Sequence, residues 1–343
     1  MKLRKYLIAG AAVLAIAATA TGIARAERPD DGQWTTTAEA LKGKKIGYVP
    51  IAMGFDLTQA WAAALEHAAK EWGFEIVVRD PNWDVAAGVQ ALSQLIDEKP
   101  DMIVVQPADP QSYVRLIDKA VQSGIKVVEI NMKSLTKSDA YVGADWYGIA
   151  SAGMDMLHKY CAKGAGKSGK IALISGTPTN PGMLIGMQAI NDGLERYKDD
   201  LELVANQSAD FDPTKAHAIA STMLKQHEDL CGFYGVWDGQ DVGTAAAIKE
   251  AGKTGQVVLV SSGGGRLAAA CDNIANDNFT AYLSYDGRGQ GRDLANVVKM
   301  LLQDGASAPA SRPFGLYSPV TALTKDNIAG SCWTIEDIKA NGP

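Results

Sequence analysis

The sequence predicts an α/β fold of two similar lobes, each a parallel sheet flanked by helices. Two observations carry the prediction: the order of hydrophobic periods along the chain, and an echo between its halves. Short β-branched runs at Lys45–Ile51, Glu75–Arg79, Met102–Gln106 and Lys126–Asn131 read as buried strands. Helical periods separate them, with Trp61, Leu65, Ala68 and Trp72 on one and Val85, Val89, Leu92 and Ile96 on the next. The alternation resumes with strands at Lys170–Ser175, Leu201–Ala205, Gly232–Trp237 and Val257–Ser262. Strand–helix–strand alternation of this kind builds right-handed βαβ units, and two series of strands mean two sheets. The echo is positional. Trp83-Asp84 opens a helix with Ser93 and Asp101 nine and seventeen residues after the aspartate, and Phe211-Asp212 opens another with Ser221 and Asp229 at the same offsets. Such a chain presents its ligand site at the carboxyl ends of the strands, in the cleft between lobes.

The chain begins with Lys2, Arg4 and Lys5, then an apolar stretch from Tyr6 to about Ala20, then Ala24-Arg25-Ala26. That order predicts a cleaved secretory leader over residues 1–26 and a mature start at Glu27. The apolar stretch is shorter than the roughly 20 residues a membrane span needs. No cysteine precedes Cys161, so lipid attachment near the cut is not expected. Cleavage takes four of the 33 Lys and Arg and none of the 39 Asp and Glu, moving the formal net charge from −6 to −10. This acidity excludes the basic footprint of a nucleic-acid partner. Cys161, Cys231, Cys271 and Cys332 lie in a secreted chain with no CxxC pair, which favours disulfides over zinc. Four cysteines allow three connectivities, and spacing does not choose among them.

Further signals follow in order: Lys45-Ile-Gly-Tyr-Val leading to Trp72-Gly73, Ile103-Val-Val-Gln-Pro-Ala-Asp109, and Gly124-Ile-Lys-Val-Val-Glu-Ile-Asn131. Tyr141-Val-Gly-Ala-Asp145, Ala209-Asp-Phe-Asp212, Tyr234-Gly-Val-Trp-Asp238 and the Ala281–Tyr285 segment complete the set. In this order and spacing the chain resembles the ribose-binding, type I class of periplasmic sugar-binding proteins, over nearly its whole mature length. The resemblance implies a three-strand hinge, with crossovers near Gly143-Ala144, Ser284-Tyr285 and Tyr317–Thr321. The expected division is a lead at 27–43, an N-terminal lobe of 44–143 plus 286–316, and a C-terminal lobe of 144–285 plus 317–343. All four cysteines then fall in the C-terminal lobe. The resemblance further implies a periplasmic monomer that closes on a neutral monosaccharide or sugar alcohol and delivers it to the permease of an ABC importer. A receptor for a non-sugar metabolite, feeding a chemoreceptor or sensor, is the alternative.

A sugar offers dense hydroxyls and flat C–H faces, so its site needs planar side chains with two hydrogen-bonding atoms, plus aromatic walls. Asn131 ends a strand where the resemblance puts an acid, and Gln106 stands at the matching end one unit earlier. Phe55 and Asp56 follow the first strand; Asp56 with Gln59 reads equally well as a helix-capping pair. Asp145 and Trp146 lie just past the first crossover, where Asp145 either binds ligand or fixes the hinge. By the resemblance, Phe211, Trp237, Asp238 and Tyr285 are the counterparts in the C-terminal lobe. Two positions depart from the family pattern. Ser262-Gly263-Gly264-Gly265-Arg266 replaces an expected acid, and the region from Thr179-Asn180-Pro181 to Asn191 lacks an expected arginine.

Catalytic signatures are missing. His67, His158, His217 and His227 all fall on predicted helices without metal-ligand spacing, and no GxSxG elbow occurs. Gly164-Ala-Gly-Lys-Ser168 resembles the tail of a phosphate-binding loop, but Cys161 occupies the place of the first glycine and the segment precedes a strand. No enzyme activity, cofactor or metal is expected.

Overall fold

The computed structural model describes residues 31–265, 267–303, 313–329 and 331–343. The expected leader, the mature start at Glu27 and Arg266 lie outside them. One sheet contains β1 (Lys45–Val49), β2 (Glu75–Val78), β3 (Met102–Val105), β4 (Lys126–Ile130), β5 (Ala140–Ala144) and β11 (Phe314–Ser318), in the order β2-β1-β3-β4-β5-β11. All its pairings are parallel. The other contains β6 (Lys170–Ser175), β7 (Glu202–Ser208), β8 (Gly232–Gly235), β9 (Val258–Gly263), β10 (Ala281–Ser284) and β12 (Thr321–Leu323), in the order β7-β6-β8-β9-β10-β12. Only the β10–β12 pairing is antiparallel there. The first five strands of each sheet thus repeat one doubly wound order, whose switch point lies between β1 and β3 and again between β6 and β8.

The strands form where β-branched runs can be buried on both faces. β3 and β4 are buried throughout. Helices follow most strands, and several start on identifiable side-chain caps: Asp84 for α3 (Val85–Glu98), Asn180 for α6 (Pro181–Arg196) and Asp212 for α7 (Pro213–Gln226). Each cap accepts a hydrogen bond from a first-turn N–H that would otherwise lack a partner. The second aspartates of the echo also match: Asp101 pairs with Lys44 at 2.9 Å beside β1, and Asp229 with Lys170 at 2.8 Å on β6.

Between the sheets the chain crosses three times. α5 (Trp146–Cys161) leaves β5 to pack on α6 and β8, and α10 (Gly287–Gln303) leaves β10 to pack on α2 (Asp56–Trp72). Pro319 and Val320 join β11 to β12. Two terminal helices add contacts that local sequence does not announce. In the polar lead, α1 (Gln33–Leu41) lies on α10, with Trp34 5.7 Å from Trp72. α11 (Ile335–Asn341) packs on α2, although Cys332 just before it is bonded to Cys271 of α9 (Leu267–Ala275). The second disulfide joins Cys161 to Cys231. The glycine-rich segment after α5 forms a tight turn whose Gly164 N–H donates to Asp200 at 2.9 Å, a loop role. His158 and His217 bond to Asp200 and Glu250 on the surface.

Candidate functional site

The carboxyl ends of both sheets face one another across a cavity of ≈ 70 Å³. That is room for several water-sized groups. From the first lobe come Phe55 before α2, Trp83 after β2, Gln106 after β3 and Asn131 after β4. The second lobe supplies Trp146 on α5, Asn180 before α6, Phe211 after β7, Trp237 after β8, Ser262 on β9 and Tyr285 after β10.

Four rings close the mouth. Trp83 stacks on Phe55 (5.2 Å between centroids, 25° between planes) and faces Phe211 across the cleft (6.5 Å, 26°). Trp237 meets Phe55 at 5.6 Å and Phe211 at 6.1 Å, both edge-on. Trp83 and Phe211 occupy equivalent places in the duplicated unit and share an unusual backbone. Their φ values are 69° and 63°, each following a residue that is also left-handed, Asn82 at 49° and Asp210 at 52°. Bulky residues in this region cost of order 1–3 kcal/mol each, and such strain persists where the surroundings impose it, often at a ligand clamp. The Asp84 and Asp212 caps fix the exits of both turns (3.0 and 2.9 Å). Glycine makes room behind Phe211, since a Cβ on Gly176 would collide with the ring. Outside these rings the cleft widens into a groove of ≈ 790 Å³ that Trp83 and Phe211 also line. They therefore stand as a gate between groove and chamber.

The polar groups are few. Asn131 is 2% exposed, at φ 61°, and its backbone carbonyl accepts from Trp146 Nε1 (2.8 Å) and Tyr141 Oη (3.0 Å). Its side-chain Oδ1 is buried with no hydrogen-bond partner among the described residues. A Cβ on Gly143 would lie 2.6 Å from the Asn131 Cα, so glycine is what lets β5 approach this turn. Gln106 Oε1 accepts from the Ile51 N–H at 3.0 Å, and Asn180 Oδ1 from the N–H groups of Gly182 and Met183 at 2.9 and 3.3 Å. Those bonds leave the carboxamide N–H groups of Gln106 and Asn180 for a ligand. Ser262 Oγ donates to the Val236 carbonyl at 2.8 Å.

Seven of the ten residues anticipated from sequence line the chamber: Phe55, Gln106, Asn131, Trp146, Phe211, Trp237 and Tyr285. The three acids do not. Asp56 opens α2, and Asp145 is exposed, its carboxylate accepting from Gly148 N–H at 3.0 Å as the cap of α5. A carboxylate beside a helix start is drawn to the free N–H groups there. Asp238 turns into the second lobe, where it accepts from Tyr282 Oη and Gly239 N–H, both at 2.8 Å. Burial pushes its carboxyl up to about 6, and the charge of Asp56 adds to the rise. No charged side chain lines the chamber among the described residues. Sequence reasoning missed Trp83 and Asn180. The echo with Phe211 was a signal for Trp83; Asn180 had the signal of a cap before Pro181.

A family model described as a periplasmic binding protein domain matches residues 29–307. The D-ribose/D-allose-binding protein of Pseudomonas aeruginosa is 27% identical over 237 residues, 65% of this chain and 72% of that protein. The ribose import binding protein of Bacillus subtilis is 26% identical over 211 residues, 60% of this chain and 65% of that one. Among solved structures, an ABC transporter solute binding protein of Burkholderia graminis in complex with D-arabinose superposes with a TM-score of 0.75 at 20% identity, covering 85% of this chain and 98% of that one.

Proposed function

Because the chain belongs to the family of periplasmic binding protein domains, we propose that it is the ligand receptor of an ABC importer and holds a neutral monosaccharide or sugar alcohol between its lobes. The observation that carries this reading is the unpartnered Oδ1 of Asn131, buried inside a ring of aromatic walls. An acceptor left without a protein partner in this way suits a ligand hydroxyl, and the amide N–H groups of Gln106 and Asn180 supply donors. Aromatic faces suit the C–H side of a sugar ring, and an uncharged lining favours a neutral ligand. The sugars named for the relatives agree with this class. No step of chemistry is assigned to the ligand. We place the mature protein in the periplasm as a monomer, with Glu27 as its first residue, the lobes divided at the three crossings, and a permease as the recipient. A chemoreceptor is the second recipient to test.

Calorimetry of the parent with D-ribose, D-allose, D-arabinose and xylitol tests the reading; tight binding restricted to charged metabolites would overturn it. With the best of these ligands, Trp237→Ala and Asn131→Ala are each expected to weaken binding by about 1–3 kcal/mol, from lost stacking and a lost hydroxyl partner. Ligand contacts from both lobes coexist only in the closed form, so a ligand shifts the equilibrium by its differential affinity for that form. X-ray scattering is expected to show a smaller radius of gyration at saturation than in the free protein. An unchanged profile would count against closure.

A further inference from the structure

After its three crossings the chain makes one more passage. β12 belongs to the second sheet, yet α11, which starts twelve residues beyond Leu323, lies on α2, the helix that follows β1 of the first. Ile335 and Ile338, 5% and 0% exposed, share a buried apolar cluster with Ala60 and Ala63 of α2 and Ile274 of α9. Beyond the helix, Gly342 at φ 79° turns the chain against α2, where a Cβ would stand 3.1 Å from His67 Nε2. α11 has only seven residues, and a helix that short does not persist in water without packing. A reciprocal cap sets its start: Thr334 Oγ1 accepts from the Asp337 N–H at 3.2 Å, and the Asp337 carboxylate accepts from the Thr334 N–H at 2.8 Å. The segment is therefore either seated and helical or released and unfolded.

Its tether sets that balance. Cys332, three residues before α11, is bonded to Cys271 of α9, which follows β9 of the second sheet. Three extended residues reach about 10 Å, whereas the twelve from Leu323 reach about 40 Å. Shortening a flexible loop from twelve residues to three favours its closure about eightfold. The helix that receives α11 also reaches the cleft, since Phe55, immediately before α2, lines the chamber.

We propose that α11 is a strap between the lobes, pinned to the second by Cys271–Cys332 and seated on the first, and that it limits how far the cleft opens. Carrying α2 away from α9 beyond the reach of the short tether unseats the helix. Seating and closure therefore favour each other. By reciprocity, a ligand that selects the closed form protects α11, and losing the pin weakens the ligand. The ligand effect rests on the sugar-receptor reading above; the strap itself does not.

The test compares the parent with the Cys271→Ser/Cys332→Ser double variant and with Ile338→Ser, which keeps the bridge but loosens the seat. Hydrogen exchange read by mass spectrometry is expected to be about eightfold faster across α11 in the double variant. X-ray scattering of ligand-free protein should give a larger radius of gyration in both variants than in the parent. The best ligand of the panel above should bind each variant about two- to eightfold more weakly. Unchanged exchange in the double variant would mean that the bridge does not hold the seat, and would overturn the strap. Faster exchange with an unchanged radius would make α11 a passive terminal helix and overturn it too. Exchange and scattering need no ligand, so failure of every sugar to bind would remove the receptor reading and leave these two measurements to decide the strap.

Discussion

Replacing Cys161 and Cys231 together by serine is expected to remove roughly 4 kcal/mol of stability. The bond closes a loop with a sequence separation of 70, and in the chain-entropy account a loop of that length restrains the unfolded chain by about that much. Packing adds to the loss. Cys161 is fully buried at the end of α5, and Cys231 immediately precedes β8. α5 carries Trp146 and Ile149 at its other end, in the chamber lining, so the bridge anchors one side of the binding wall from about two dozen ångströms along the helix. The bond between Cys271 and Cys332, with a separation of 61, holds the segment that delivers α11 to α2. Its Cys332 is exposed, so reductant is expected to open this bridge before the buried one. Urea unfolding of the parent and of each double-serine variant measures both effects. A Cys161→Ser, Cys231→Ser protein as stable as the parent would refute the first. Four alkylatable thiols in native protein would refute both bridges.

The sheets were legible because their strands are β-branched runs long enough to be buried on two faces, as in Met102–Val105 and Lys126–Ile130. β12 had no such signal; three residues become a strand only by pairing with β10. α1 is similar, since its sequence lacks a marked apolar stripe and its hold comes from distant contacts, Trp34 on Trp72 and Thr37 Oγ1 to Gln303 at 3.0 Å. In the site, aromatic and amide residues at strand ends were readable because a side chain at that position can reach into the cleft. The acids were not, because a carboxylate at a strand-to-helix junction serves a cap or a ligand with the same residue type and spacing. Asp238 and Trp237 show how fine the distinction is: neighbours in sequence, they point into the lobe and into the chamber respectively.

Between about pH 6 and pH 4 the protein is expected to become more stable as the solution is made more acid, by about 3 kcal/mol from Asp238 alone. Burial raises the Asp238 carboxyl from 3.8 to about 6, with Asp56 contributing. The folded form therefore holds a proton that the unfolded chain releases. Above both values the charged carboxylate is buried at a cost; as pH falls through 6 the folded form takes up the proton and that cost disappears, with the gain complete below about 4. Asp241, one helical turn on, is also pushed up by burial, and one of its carboxylate oxygens is buried without a partner among the described residues. Glu129 rises for the same reason on the other lobe. Opposing them, Asp200, Asp210, Asp229 and Asp337 are held below the usual carboxylate range, chiefly by hydrogen bonds to their side-chain partners, so their contribution is lost only as pH falls below about 4. Urea midpoints at pH 5 and pH 7.5 for the parent and for Asp238→Asn, which keeps the shape of the protonated acid, test the assignment. The parent should be more stable at pH 5, and Asp238→Asn should lose most of that difference while gaining stability at pH 7.5. An unchanged pH slope in the variant would mean that Asp238 is ionised without penalty and that the rise comes from elsewhere.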